Sequence, residues 1–380
     1  MTDFKIIIIG GGPAGTASAA YLTKLGIDVC IIEKKNFPRE TLCGEFLSNE
    51  VENGLRELNL FEEFLSLKPN SINSFRFISA GENEFYKVLG FTAYSIKRSV
   101  FDNFLFYAAK AKGANLLFPA EVKTIRKDGD KFIVNITDSN GKNFNLSSKI
   151  VIAAYGKQNF LDKYLKRNFA NVKSNTYGVK FHVDKKYFKH FNENEIRIYS
   201  NPGLYCGMNA VNSDTVNICL LRKGIESKES PRKLISEFIS GTESFRTLFN
   251  PGGESIFNSL PVWGCGNIFF GKKSPVENGI FIAGDAAGVI APLAGDGIGM
   301  AFQSAKILSS VLDGFLRNKI SRREAEEIYT LKWNSLFRKR ILTASIIQKI
   351  ILNHTLGGIS TGLLKFYPGI LPQLIKLTRG

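Results

Sequence analysis

Phe4 to Ile9 is an apolar run, largely β-branched and interrupted only by Lys5, and Gly10, Gly12 and Gly15 follow it directly. Such a run is the pattern of a strand covered on both faces of a parallel sheet. Glycines in G-x-G-x-x-G spacing at its end each answer a steric demand. The first permits a tight turn, the second lets backbone approach a pyrophosphate, and the third lets helix and strand pack closely. Ala14 to Leu25 then has the small and apolar spacing of a helix, ended by Gly26, and Val29 to Ile32 is a second buried strand. Glu33 closes that strand eighteen positions after Gly15, where an acid accepts hydrogen bonds from a ribose diol and disfavours a 2′-phosphate. The first 33 residues are thus a βαβ unit that seats a dinucleotide on a helix N-terminus.

The rest of the chain interleaves with this unit. Lys149 to Ala154 and Gly279 to Ala283 return to the buried-strand pattern. Ser71 to Ser79, Lys131 to Thr137, Ile196 to Ser200 and Thr215 to Leu220 alternate apolar with polar residues, the pattern of half-exposed antiparallel strands. Arg98 to Lys112 reads as a helix, as does most of Gly297 to Lys349, and Gly357, Gly358 and Pro368 break up the remainder. The 380 residues suffice for two lobes. The expected class is α/β. A Rossmann-like nucleotide domain (1–70, 96–174 and 272–320) is interleaved with an antiparallel β-sheet substrate domain (71–95 and 175–271), and a C-terminal helical region covers 321–380.

A second glycine-rich cluster separates NAD from FAD. Phe281-Ile-Ala-Gly-Asp285-Ala-Ala-Gly288 places an acid just after a buried strand, and Pro292, Gly295 and Gly297 follow in P-x-x-G-x-G spacing before a helix begins near Ile298. This resembles the second FAD motif of the superfamily that holds the geranylgeranyl reductases and the aromatic, p-hydroxybenzoate hydroxylase-like, hydroxylases. The resemblance implies that Asp285 contacts the ribityl chain and pyrophosphate, and that the Pro292–Gly297 loop presents backbone N–H groups to the flavin ring. Ile96 to Asp102 is similar to the family segment whose arginine approaches the flavin, which implies that role for Arg98. The likeness covers most of residues 1 to 310, and FAD is the implied cofactor.

The segment after Glu33 approaches the flavin face in that family and here contains Cys43-Gly44-Glu45. Cys43-Gly44 resembles the pair found in geranylgeranyl reductases. Glu45 is closer to the Gly-Glu of flavin-dependent halogenases, whose W-x-W-x-I-P element is missing: the only tryptophans, Trp263 and Trp333, lie seventy positions apart. The Asp-Gly motif of the hydroxylases is also missing, since Ala154-Tyr155-Gly156-Lys157 stands in its place. Cys43 reads as a proton donor or flavin-tuning thiol, or as a small buried hydrophobe. Glu45 stays equally open, and Tyr205, in the expected substrate-domain hairpin, faces substrate or packs the sheet. Expected catalytic residues are therefore Cys43, Glu45 and Tyr205. The histidines, His182, His190 and His354, fall in no triad or metal spacing, so no metal site is expected.

The functional expectation is an FAD-dependent oxidoreductase acting on a hydrophobic substrate, isoprenoid, polyketide or aromatic, free or carrier-bound. The leading reading is reduction of C=C bonds. Flavin-dependent hydroxylation is the alternative, and a non-enzymatic prenyl- or lipid-binding protein of the same fold is the second. A single G-x-G-x-x-G argues against a separate NAD(P)H domain, which leaves NAD(P)H or a reductase or ferredoxin partner as electron donor.

The net charge of +16 calls for an acidic partner. Ile328 to Gly380 holds eight Lys or Arg and no acid. Ile341 to Ile351 and Leu363 to Leu377 mix Ile, Leu and Phe with lysine, which suits an amphipathic surface on an anionic bilayer. No nucleic-acid motif accompanies the charge, so nucleic acid is not expected. Five cysteines without C-x-x-C spacing and an N-terminus without a basic leader suit a reducing, cytoplasmic setting, with contact at the inner membrane face as the finer expectation.

Overall fold

A computed structural model describes residues 2–79, 81–224 and 230–353. His354, the glycine and proline breaks and the Leu363–Leu377 segment lie outside the described residues.

The chain is an α/β protein with two large sheets. In the first, five strands run parallel in the order Ile280–Ile282, Asn143–Ala153, Thr2–Ile9, Val29–Ile32 and Asn115–Leu117. Thr2–Ile9 lies in the middle because its apolar run is covered on both faces, and Ile6, Ile7 and Ile8 have no exposed surface. An antiparallel hairpin, Ala120–Asp128 with Lys131–Asp138, extends the sheet alongside Asn143–Ala153.

Two elements explain how helices meet this sheet. The Pro13–Lys24 helix starts with proline at its first position, which needs no amide there, and ends before Gly26 in the left-handed region. Helix Gly297–Leu316 packs along it. The expected long C-terminal helical stretch is two helices, Gly297–Leu316 and Arg322–Ile351, because Ser321 and Glu324 form a capping box that restarts the chain. The second helix buries Tyr329, Trp333, Phe337 and Ile341 against the first sheet's core.

The second sheet runs Trp263–Cys265, Thr176–Asp184, Thr215–Lys223, Leu204–Ala210, Glu195–Asn201, Asn70–Ser79, Glu84–Ser95 and Phe46–Leu47. Two expectations are corrected here. Asn70–Ser79 and Glu195–Asn201, read as antiparallel strands, pair with each other in parallel, because the chain joins the two halves of this sheet through the first domain. Thr215–Lys223 is mostly buried rather than half-exposed. Helix Pro231–Ser240 and its neighbours cover one face through Leu234, Phe238 and Phe245, and the other faces a cavity.

Trp333 is 1% exposed, and its ring fills the space a side chain at Gly288 would take. Trp333→Ala is expected to cost about 3–5 kcal/mol through lost burial and a residual cavity. Urea unfolding followed by circular dichroism measures it, and a loss under 1 kcal/mol would mean that this helix does not hold the core.

Candidate functional site

The carboxyl ends of the parallel strands open into a cavity of about 830 Å³ that reaches across to the second sheet. Ligands in open parallel sheets bind at this edge, where neighbouring connections diverge to opposite sides.

Gly10 and Gly15 of the first loop are sterically obligatory. Gly10 has φ +108°, and a Cβ there would lie 2.5 Å from the Ala154 carbonyl oxygen. At Gly15 a Cβ would lie 1.9 Å from the Gly10 carbonyl oxygen. Gly12 caps the helix and keeps an open face, with the nearest atom, Arg39 Nη2, 3.6 Å from where its Cβ would be. Glu33, 6% exposed, is held at the loop by the amides of Gly11 and Lys35, which donate to its two oxygens at 2.8 and 2.9 Å.

Arg39 completes the anion site and was not legible from the motif alone. Its Nη2 lies 3.7 Å from both Glu33 and Asp102, and its buried Nε has no partner. An open glycine face, a helix N-terminus and an underused guanidinium fit a pyrophosphate. Arg98 borders the same cavity, its charge fixed by a bidentate bond to Asp102 at 2.7 and 2.8 Å. Burial opposes its charge, but Asp102 and Cys43 outweigh this and raise its pKa.

Asp285, Pro292, Gly295 and Gly297 line the cavity from the opposite end of the sequence. Pro292–Ala294 is a single 3-10 turn, Gly295 has φ +62°, and Gly297 opens a 20-residue helix. The loop is anchored by Asp296, which accepts from Ser48 at 3.2 Å and pairs with Arg340 at 3.4 Å. Lys157 directly follows Tyr155-Gly156, which stands where the hydroxylases have Asp-Gly. Its Nζ donates to the Leu42 carbonyl at 3.2 Å and lies 3.8 Å from Asp285. These residues could hold FAD: the glycine loop and Arg39 would take its diphosphate, Glu33 its ribose, and the Pro292–Gly297 loop its ring.

Cys43, Glu45 and Tyr205 also line the cavity. Cys43 Sγ accepts a hydrogen bond from the Glu45 amide at 3.3 Å. Tyr205 is 6% exposed, and burial pushes its phenol well above the usual range, so it stays neutral. Glu45 is fully buried with φ +55°, a conformation that costs a non-glycine residue about 1–2 kcal/mol. Four contacts stabilise it there. The Arg98 amide donates at 2.8 Å, Lys180 Nζ at 2.6 Å, and His182 Nε2 meets the second oxygen at 2.7 Å, while Ile96 N donates to its carbonyl at 3.3 Å. Burial pushes the Glu45 carboxyl up, but His182 and Lys180 outweigh it and hold it below the ordinary carboxylate range.

Sequence spacing gave no hint of Lys180 or His182, because they approach Glu45 from a strand some 135 residues away. Alternation on the Thr176–Asp184 strand does put the two on one face. Glu40, Glu45 and His182 bring ligand atoms within 4.8 Å of one another. Lys180 Nζ, however, lies 2.6 Å from both carboxylates, so an ammonium takes the central position and the cluster is a salt-bridged network. His190 is exposed in a turn, away from the site.

A family model described as FAD binding domain matches residues 3–324. Digeranylgeranylglycerophospholipid reductase 3 of Methanosphaera stadtmanae is 24% identical over 370 residues, 92% of this chain and 87% of that protein. Among solved structures, a geranylgeranyl bacteriochlorophyll reductase-like protein of Thermoplasma acidophilum superposes with TM-score 0.77 at 18% identity, covering 99% of this chain and 100% of that one. A flavin-dependent brominase gives TM-score 0.79 at 18% identity over 99% and 93%.

Gly15→Ala tests the loop. Its methyl cannot fit against the Gly10 carbonyl, so the variant is expected to lose bound FAD and about 1–3 kcal/mol of stability, read by flavin-to-protein absorbance ratio and thermal melting. FAD retained at full stoichiometry would show that the close approach is not required.

Proposed function

Because the chain belongs to the FAD-binding domain family, we propose that it reduces isolated C=C bonds in an isoprenoid-like lipid. It is an FAD-dependent oxidoreductase, and the finer reading rests mainly on one observation. Beyond Cys43 and Glu45 the cavity becomes a greasy chamber of the second sheet, lined by Phe75, Phe77, Phe85, Leu89, Ile196 and Ile198. Such walls gain about 25 cal/mol per Å² of apolar surface buried and offer an aliphatic chain no competing polar contact. The reductase from Methanosphaera stadtmanae, alike over most of both chains, acts by its name on a geranylgeranyl lipid and supports the same substrate class.

Bound FAD supplies two-electron transfer. The chain's residues do the rest. With FAD bound, the N-terminus of helix Gly297–Leu316 would favour negative charge on the ring. The side chains of Ala344, Ile347 and Ile351 close the chamber from the Arg322–Ile351 helix and keep water out. Cys43, at the junction of polar and apolar walls, is positioned to hand a proton to substrate, and Tyr205 packs the chamber's side. NAD(P)H or a separate ferredoxin-type protein supplies electrons.

Anaerobic spectroscopy tests this reading. Flavin reduced by NADH, NADPH or dithionite is expected to recover its colour without oxygen when a geranylgeranyl glycerophospholipid is added. Recovery that requires oxygen, with substrate-stimulated oxygen consumption, would assign the chain to the hydroxylases. Bleaching by a pyridine nucleotide identifies a self-sufficient enzyme, and bleaching by dithionite alone a separate donor.

A lipid substrate also gives the outer face of the Arg322–Ile351 helix a purpose. Leu331, Leu342 and Ile346 are exposed there, with Lys332, Lys339 and Lys349 exposed among them. No helix of the described residues is long and apolar enough to cross a membrane, so the contact we propose is peripheral, with an anionic bilayer. The protein is expected to co-sediment with phosphatidylglycerol vesicles and to be released by salt. Equal recovery with and without vesicles would reject the contact.

A further inference from the structure

The two innermost members of the cluster beside Cys43 are sealed from water: the side chains of Lys180 and Glu45 are 0% exposed. Its two ends differ. Glu40 lines the cavity with 22% of its side chain exposed. His182 is not among the cavity-lining residues and keeps 12% of its side chain exposed. Between these ends the contacts are continuous and short: His182 Nε2 to Glu45 at 2.7 Å, Glu45 to Lys180 Nζ at 2.6 Å, and Lys180 Nζ to Glu40 at 2.6 Å.

We propose that His182, Glu45, Lys180 and Glu40 form a proton relay that carries protons from the protein's outer face to the flavin end of the cavity. This deepens the oxidoreductase reading above and rests on the flavin ring lying beside Cys43. Taking flavin to its two-electron-reduced form consumes a proton, as does adding hydrogen across a C=C bond. With FAD and lipid filling the cavity, that proton needs a route that avoids its mouth.

Each step moves one proton along an existing hydrogen bond. Glu40 takes a proton from the Lys180 ammonium and then releases it into the cavity. The His182 imidazolium passes its proton through the Glu45 carboxylate to Lys180 and takes another from water, so the cluster returns to its starting state.

The surroundings suit this use. Opposite His182 in register lies Asn217, opposite Lys180 lies Cys219, and Trp263 borders both through ring contacts at 5.7 and 5.5 Å. Other than the Arg98 guanidinium, already committed to Asp102, no further charged group faces the chain among the contacts described. With His182 neutral the cluster has two carboxylates against one ammonium, and with His182 protonated the charges balance. Stability does not explain the arrangement, because burying charges costs several kcal/mol that apolar packing would avoid.

Reduced methyl viologen, which donates electrons without protons, separates the two events in a stopped-flow instrument. The FAD-loaded protein is mixed with it anaerobically in weak buffer containing a pH indicator. In the unmodified protein, proton uptake is expected to keep pace with flavin bleaching. In His182→Gln it should lag by about a hundredfold, with added imidazole restoring the pace in His182→Ala and His190→Gln behaving as unmodified. Proton uptake in step with bleaching in His182→Gln would overturn the relay. Should that variant fail to hold FAD, Lys180→Met provides the same comparison, and unimpaired uptake there is equally decisive. The measurement uses no lipid, so failure of the C=C reduction test and failure of the relay are read separately.

Discussion

The architecture depends on the Thr2–Ile9 strand, paired in parallel on both sides with Val29–Ile32 and Asn143–Ala153. Its four isoleucines, Ile6 to Ile9, are covered above and below, so the strand cannot shift register without exposing apolar surface. That fixed register delivers Gly10 against Ala154 and Gly15 against Gly10 at distances no side chain tolerates. Because both neighbouring strands also end here, Glu33 and Tyr155 arrive at the same edge. The nucleotide site follows from where three strands stop.

The second sheet is tied to this edge by a strained joint. The segment from Phe37 to Phe46 leaves the first domain and ends in the short strand Phe46–Leu47 of the second sheet, and Glu45 occupies the joint in a left-handed conformation. Such backbone persists only where its surroundings over-determine it. The Arg98 amide supplies one constraint from the first domain, and Lys180 and His182 supply two from the second sheet. The same carboxylate thus joins two domains and sits where the cavity turns from polar to apolar. Strain at a joint of this kind sets the aim of Cys43, whose sulfur is fixed by the Glu45 amide.

What was legible in the sequence follows the range of the forces. Gly10, Gly12, Gly15 and Glu33 are read from local spacing because one βαβ unit contains the whole constraint. Asp285, Pro292, Gly295 and Gly297 needed a resemblance, because nothing local states that they face Gly10 across the sheet. Arg39, Lys157, Lys180 and His182 were not legible as site residues. Each acts through contacts set by tertiary packing, and a lysine or histidine on an alternating strand looks the same whether it faces water or a buried carboxylate. The parallel pairing of Asn70–Ser79 with Glu195–Asn201 was missed for a related reason: alternation reports how a strand is buried but not the direction of its neighbour.

Positive charge illustrates how composition can mislead about location. A net +16 suggests an outward-facing basic surface, yet part of it works inside. Lys273 is buried, and its Nζ donates to the carbonyls of Lys157 and Asp285 at 2.7 and 3.1 Å. Burial is the largest influence on it and lowers its pKa to about 8, with Asp162 and Asp285 only partly opposing. Lys157, whose carbonyl it holds, reaches on to Leu42 and Asp285. Two lysines therefore bind together the segment before Cys43, the end of the Asn143–Ala153 strand and the second glycine cluster, which local sequence leaves unconnected. An acid at position 157 could not donate to the Leu42 carbonyl and would repel Asp285, so Lys157 contributes both to what holds this face of the cavity together and to its charge.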